Sequence, residues 1–235
     1  MNLRSLVKAV LPSVVPRSAY NYVHGSVIVR DILAGRKLEP GIELLKDFVK
    51  EGDTVIDIGA NQGRYTYHFS RTVGPSGRVY AFEPIPYNFN ILSRVAAKAP
   101  YKNIVLRNEG CSDEYKELSF TVPLKHGAPF AGWSHISVDG KDEGERVKAV
   151  VRPIDETIPE TDHIEFIKCD IEGAEMFAFR GALRTIKRCR PVIFSEVSAR
   201  WLQRYDLTPE HVFTFFRDLG YSAHPKGEED YLFLP

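Results

Sequence analysis

Apolar residues first recur at helical spacing at Ile42, Leu45 and Val49, and Gly52-Asp53 then turns the chain. From residue 54 the pattern alternates between short apolar runs and helical stripes. Residues 54–58 are a short apolar run, as a buried strand requires. Residues 62–73 put Tyr65, Phe69 and Val73 on one helical face. Residues 78–82 read as a second strand, and a second helix starts near Pro86, a residue suited to the first helical position. Its expected stripe is Phe89, Leu92, Ala96 and Ala99, and a third strand begins at residues 104–106.

Strict alternation follows. Leu118, Phe120 and Val122 alternate with polar residues, as do Val147, Ala149 and Val151, which predicts two half-exposed strands. The polar stretch between them, residues 123–145, is long for a loop in a compact domain, a length usual for lids and binding loops. Strand and helix then resume. Residues 164–169 predict a strand, Met176, Phe179, Leu183 and Ile186 one helix, and residues 192–197 a buried strand. Thr208-Pro209-Glu210 predicts a capped helix ending at Gly220, and residues 221–224 and 231–234 the closing strands. This order predicts an α/β fold: a mainly parallel sheet with helices on both faces and functional loops at the carboxyl ends of its strands.

The 235 residues fit one such domain, with residues 1–51 as a helical cap, 52–235 as the domain and about 123–146 as a lid-like insert. Thirty-one basic and 31 acidic residues leave no net charge. That balance argues against a nucleic-acid binder, which ordinarily carries a basic excess. Three scattered cysteines, Cys111, Cys169 and Cys189, make neither a disulfide framework nor a zinc site, and are expected as reduced thiols in a cytoplasmic protein. The first sixteen residues start basic and then turn apolar, but Lys8 and Pro12 interrupt them and no cleavage site follows. They are too short to span a bilayer. An amphipathic helix over the domain is expected there, with a weak membrane-surface anchor as the lesser alternative.

Chemistry-bearing residues cluster after the strands. Asp57, Gly59, Asn61 and Gly63 follow the first strand; glycines there admit a ligand close to the backbone, and an acid suits an ammonium group. A tight turn with no ligand would look much the same. Glu83 ends the second strand, twenty residues after Gly63, where an acid can accept both ribose hydroxyls of an adenosine-type ligand. Cys111 and Ser112 follow the third strand, beside where a base would lie, although a plain turn explains them nearly as well. Asp170, Glu172 and Glu175 follow the fourth, and Ser195-Glu196 the fifth. These carboxylates could orient a hydroxyl, take its proton or bind a divalent cation; helix capping and ion pairing are the alternatives. The spacing demands no metal.

In this order the blocks resemble the FkbM-type family of S-adenosylmethionine-dependent methyltransferases, from about Gly52 to Pro235. The resemblance is carried by Asp57 to Gly63, Phe82-Glu83-Pro84, Lys168 to Glu175, Ser195-Glu196-Val197 and Leu219-Gly220-Tyr221. It implies a Rossmann-like class I methyltransferase fold, with a seven-stranded mostly parallel sheet and one antiparallel edge strand, the last. It implies that Asp57, Gly59 and Asn61 hold the methionine end of the cofactor, that Glu83 holds its ribose, and that Asp170 and Glu172 face the transfer site. The implied reaction is O-methylation of a small-molecule acceptor, a sugar or natural product, with peptide nitrogen a further option. For an alcohol a base is needed, and Asp170 and His135 are the candidates, an imidazole being suited to proton transfer near neutrality. Phe130, Trp133 and His135 in the insert are expected to shape the acceptor pocket. A homodimer is compatible with the sequence. Two rival readings share the pattern: a NAD-dependent oxidoreductase, disfavoured by the missing second glycine of the dinucleotide turn, and a non-catalytic ligand-binding protein.

Overall fold

In the computed structural model, residues 16–36, 39, 41–125, 128–129, 134–137 and 143–235 are described. The helix expected within residues 1–15, and Phe130 and Trp133, lie outside them. In chain order the strands are β1 (Thr54–Ile58), β2 (Arg78–Phe82), β3 (Ile104–Arg107), β4 (Gly110–Cys111), β5 (Lys116–Val122), β6 (Leu124–Lys125), β7 (Ala128–Pro129), β8 (His135–Ile136), β9 (Glu145–Arg152), β10 (Phe166–Cys169), β11 (Val192–Glu196), β12 (Ser222–Pro225) and β13 (Asp230–Leu234). The helices are α1 (Arg17–Leu33), α2 (Gly41–Leu45), α3 (Arg64–Val73), α4 (Pro86–Ala97), α5 (Ile154–Thr157), α6 (Glu175–Gly181), α7 (Leu183–Cys189), α8 (Ala199–Leu202) and α9 (Pro209–Asp218).

Seven strands form one sheet in the order β12-β13-β11-β10-β1-β2-β3. β3, β2, β1, β10 and β11 pair in parallel, and β13 is antiparallel to both of its neighbours. The last strand is thus the antiparallel one, as expected, but it lies one place in from the edge. β12 is the edge strand, because the short turn after it folds β13 back between β12 and β11.

Both faces of the sheet are covered. Ile56, Ile58, Ile167, Cys169 and Ile193 point to one side and pack with Met176, Phe179, Ile186, Val212 and Phe216 of α6, α7 and α9. Val55, Val79 and Phe166 point to the other, against Phe69 and Val73 of α3 and Leu45 and Val49. The alternation within β1 therefore assigns Asp57 to the α3 side.

Two helices depart from their expected form. In α4 the buried residues are Asn88, Ile91, Leu92 and Val95 rather than the stripe through Phe89 and Ala96. The reason is α1, whose Ile28, Val29 and Ile32 pack on Ile91, Val95 and Ala99, so that α4 is covered on two sides. The single helix expected through Met176 and Ile186 is two, broken at Ala182. Asp155 accepts the Arg184 and Thr185 N–H groups at 2.8 and 2.9 Å and so caps the second segment.

The two half-exposed strands, β5 and β9, pair antiparallel and form a second sheet, β4-β9-β5-β8. The described part of the insert contributes β8, which adds to β5 by pairing Phe120 with Ile136 and Thr121 with His135. Among the described residues, no helix is long and apolar enough to cross a membrane.

Candidate functional site

The first sheet presents its carboxyl ends to a cavity of about 480 Å³, within the roughly 300–1,000 Å³ of ordinary ligand pockets. Gly59, Asn61, Glu83, Cys111, Asp170, Glu172 and Glu196 all line it; Asp57, Gly63, Ser112 and His135 do not.

Gly59 sets the floor. Its φ is 74°, and a Cβ there would lie 2.1 Å from the Asp170 carbonyl oxygen. Only glycine lets the loops after β1 and β10 meet this closely. Asn61, at φ 51°, also occupies the left-handed region, which Asn tolerates better than most residues. Its side-chain oxygen is buried and has no hydrogen-bond partner among the described residues.

Glu83 forms the side wall beyond β2 and is 4% exposed. Its Oε2 accepts the Asn61 N–H at 2.8 Å, and its Oε1 accepts the Ile85 N–H at 2.8 Å and the Asn88 amide at 3.5 Å. Burial pushes its carboxyl up to about 7, against the pull of these bonds. The carboxylate is fixed by the backbone on both sides of the cavity rim and keeps lone pairs for a ligand.

Asp57 meets an ammonium group, but that group belongs to the protein. The side chain is fully buried; it accepts the Thr66 hydroxyl at 2.5 Å and lies 3.8 Å from Lys168 Nζ. Lys168, at 3% exposure, also donates to the Gly59 carbonyl at 3.1 Å, lies 3.5 Å from Asp170 Oδ2 and sits 5.2 Å from the Tyr65 ring centroid. Burial opposes its charge, but Asp170 and Asp57 outweigh burial and hold the ammonium above its ordinary range. Lys168 therefore ties the loop after β1 to the loop after β10. The sequence reading gave it no role, nor Tyr65, Asn88 or Asp230, which also line the cavity. The one available signal was a lysine inside the apolar run of β10.

The far wall is acidic. Burial, then Asp170, Glu196 and Glu175, push Glu172 up to about 9. Burial and the neighbouring acids push Glu196 up to about 8, and its Oε2 is buried without a hydrogen-bond partner among the described residues. Asp170 is the outward member, with its side chain 48% exposed and paired to Lys168. Glu175 turns inward instead: its Oε1 accepts the Ile171 and Gly173 N–H groups at 3.0 and 3.1 Å, which shapes the loop. Among the described residues no group of three or more His, Cys, Asp or Glu side chains is arranged to hold a metal ion.

At the other end, Gly110 and Cys111 with Phe120, Ile136 and Val151 of the second sheet give an apolar wall. The Cys111 thiol is held well above its ordinary value by burial. Ser112 instead spends its N–H on the Arg152 carbonyl and its hydroxyl on Asp113. His135 is buried but turns to the opposite side of β8, 5.5 Å from the Trp201 ring. His135 and Asp170 thus line different cavities.

A family model of the methyltransferase FkbM domain matches residues 57–223. No curated protein matches the chain significantly. Among solved structures, the chain is similar to a methyltransferase FkbM from Methylobacillus flagellatus KT, at 19% identity and a TM-score of 0.53, over 77% of this chain and 43% of that one. It thus spans less than half the length of that protein. A putative rRNA-methylase from Clostridium thermocellum is 13% identical with a TM-score of 0.53, over 82% and 90% of the two chains. Fibrillarin from Aeropyrum pernix, solved with natively bound S-adenosyl-L-methionine, is 16% identical with a TM-score of 0.50, over 84% and 74%. At these identities the likeness establishes the fold, the Rossmann-like one of class I methyltransferases.

Proposed function

The chain belongs to the FkbM methyltransferase family, whose model covers residues 57–223, and on that premise we propose that it transfers the methyl group of S-adenosylmethionine to a hydroxyl of a sugar or natural-product acceptor. The observation that carries this reading is Glu83: a buried carboxylate, held by the Asn61 and Ile85 N–H groups, midway along a cavity with an apolar end and an acidic end. Its open lone pairs suit the two ribose hydroxyls of the cofactor. The apolar wall by Gly110 and Cys111 suits the adenine. The loop from Gly59 to Asn61, with the unpartnered Asn61 oxygen, suits the amino-acid end. Asp57 and Lys168 act behind that loop as positioning residues.

When bound, this cofactor supplies a methyl group already activated by its positive sulfur. The chain's own task is to align an acceptor oxygen and take its proton. Glu172 and Glu196, pushed up to about 9 and 8, carry protons near neutrality and can donate hydrogen bonds to the acceptor. Asp170, paired with Lys168 and outward-facing, takes the hydroxyl proton as the new oxygen–methyl bond forms. Replacement Asp170→Asn should then lower kcat by about 100-fold or more with S-adenosylhomocysteine affinity retained; near wild-type turnover would remove the role.

The cofactor half is tested by thermal unfolding with S-adenosylhomocysteine, S-adenosylmethionine and NAD. A ligand at 100 times its Kd stabilises by about 2.7 kcal/mol. A rise with the two sulfur ligands, absent with NAD and lost in Glu83→Ala, is expected. A rise with NAD alone would overturn the reading.

A further inference from the structure

A second cavity, about 310 Å³, lies behind β8. Its described lining is Pro123, His135, Arg200, Trp201, Gln203 and Arg204. β8 is the partition: Ser134 and Ile136 face the first cavity and His135 the second, as alternation along a strand requires. The loop after β10, which lines the first cavity, abuts the helix that lines the second. Gly173 in that loop sits so close to α8 that a Cβ would lie 2.5 Å from the Trp201 carbonyl. The loop that carries Asp170 and Glu172 thus rests on the backbone of Trp201, a lining residue of the second cavity.

The two cavities differ in charge. The first is lined by Glu39, Glu83, Asp170, Glu172, Glu196 and Asp230, against Arg64 and Lys168. The described lining of the second has two guanidinium groups and an imidazole and no carboxyl group. The Arg200 and Arg204 guanidinium carbons lie 5.2 and 5.8 Å from the Trp201 ring centroid. Stacking on an indole restrains side chains that would otherwise lose much rotamer freedom on binding. Arg200 is exposed and forms no ion pair with a described acidic residue. A planar guanidinium held in this way matches the oxygens of a phosphate or carboxylate.

We infer that the cavity bounded by Arg200, Trp201 and Arg204 binds an anionic group, the phosphate or carboxylate of a small molecule. The inference does not rest on the proposed function, because β8 separates this cavity from the one lined by Glu83 and Asp170. Binding is read without turnover. In a Trp133→Phe background the remaining Trp201 reports by fluorescence as inorganic phosphate, glucose 6-phosphate or glucose is added. A saturable change with both anions and none with glucose is expected, at least tenfold weaker in the Arg200→Ala/Arg204→Ala variant. Arg200→Ala alone, a change at an exposed side chain, should weaken it in the same direction. Tighter binding of glucose 6-phosphate than of phosphate points to an organic carrier; equal binding points to the free anion. No saturable change with either anion, an equal response to glucose, or undiminished binding in both variants would overturn the site. Thermal stabilisation by S-adenosylhomocysteine, followed in parallel, reports the first cavity, so its failure alone strikes the methyltransferase reading and not this one.

Discussion

Glu83 joins three roles in one side chain: it pins the loop after β1, pins the start of α4, and faces the cavity with its remaining lone pairs. Its carboxyl, pushed up to about 7 by burial, makes the binding site sensitive to pH. If Glu83 holds the cofactor's ribose as proposed, the hydroxyls donate to the ionised form, and S-adenosylhomocysteine affinity should fall as pH drops from 8 to 6. Isothermal titration across that range should show the dependence in the wild type and its loss in Glu83→Gln; an unchanged slope in the variant would assign it to another group. Gly59 is as demanding sterically. Gly59→Ala must accept a left-handed φ, costing about 1–2 kcal/mol, and a contact of 2.1 Å with Asp170. The expected loss is a melting temperature lower by at least about 4 °C together with weaker cofactor binding, and a variant as stable as wild type would refute the close approach of the two loops.

Among the elements, α1 contributes most that its own pattern does not announce. It covers α4 from outside, through Ile28, Val29 and Ile32 on Ile91, Val95 and Ala99, and leaves Tyr22 and Val23 exposed. Truncating Ile32, 2% exposed, to Ala should cost about 2–4 kcal/mol by urea unfolding while S-adenosylhomocysteine binding to the folded protein stays within about twofold. A loss of binding instead would mean that the helix shapes the site and not only the core. The insert shows the same principle on the other side. Its β8 is only two residues long, yet pairing with β5 decides which of its side chains face which cavity. This is why His135, an insert histidine expected from sequence at the acceptor pocket, lines the second cavity and not the first: sequence spacing does not set the register of a two-residue strand.

Across the whole molecule, the acids of the site store a pH dependence. Glu83 and Glu175 are raised to about 7, Glu196 to about 8 and Glu172 to about 9, all from 4.5. Between about pH 5 and 9 the folded protein therefore holds protons that the unfolded chain has released, and stability falls as pH rises through that window. The ligand-free melting temperature should be lower at pH 9 than at pH 6, with a shallower fall in Glu172→Gln between pH 7 and 9. A flat or rising profile in the wild type would contradict the buried, crowded acids. Sequence alone determined the strands of the first sheet and most of the helices between them, the glycine turn after β1 and the acids at the carboxyl ends of β1, β2, β10 and β11, because periodicity and turn chemistry are local and α/β topology puts strand ends on one edge. Only tertiary structure decided which of those acids face the cavity. Asp57 turns under α3 to meet Lys168, Glu175 turns into its own loop, and Glu83, Asp170, Glu172 and Glu196 remain at the cavity. That division is set by which face of a strand a neighbouring element covers, and by long-range partners such as Lys168, 111 residues from Asp57, which a reading along the chain does not bring together.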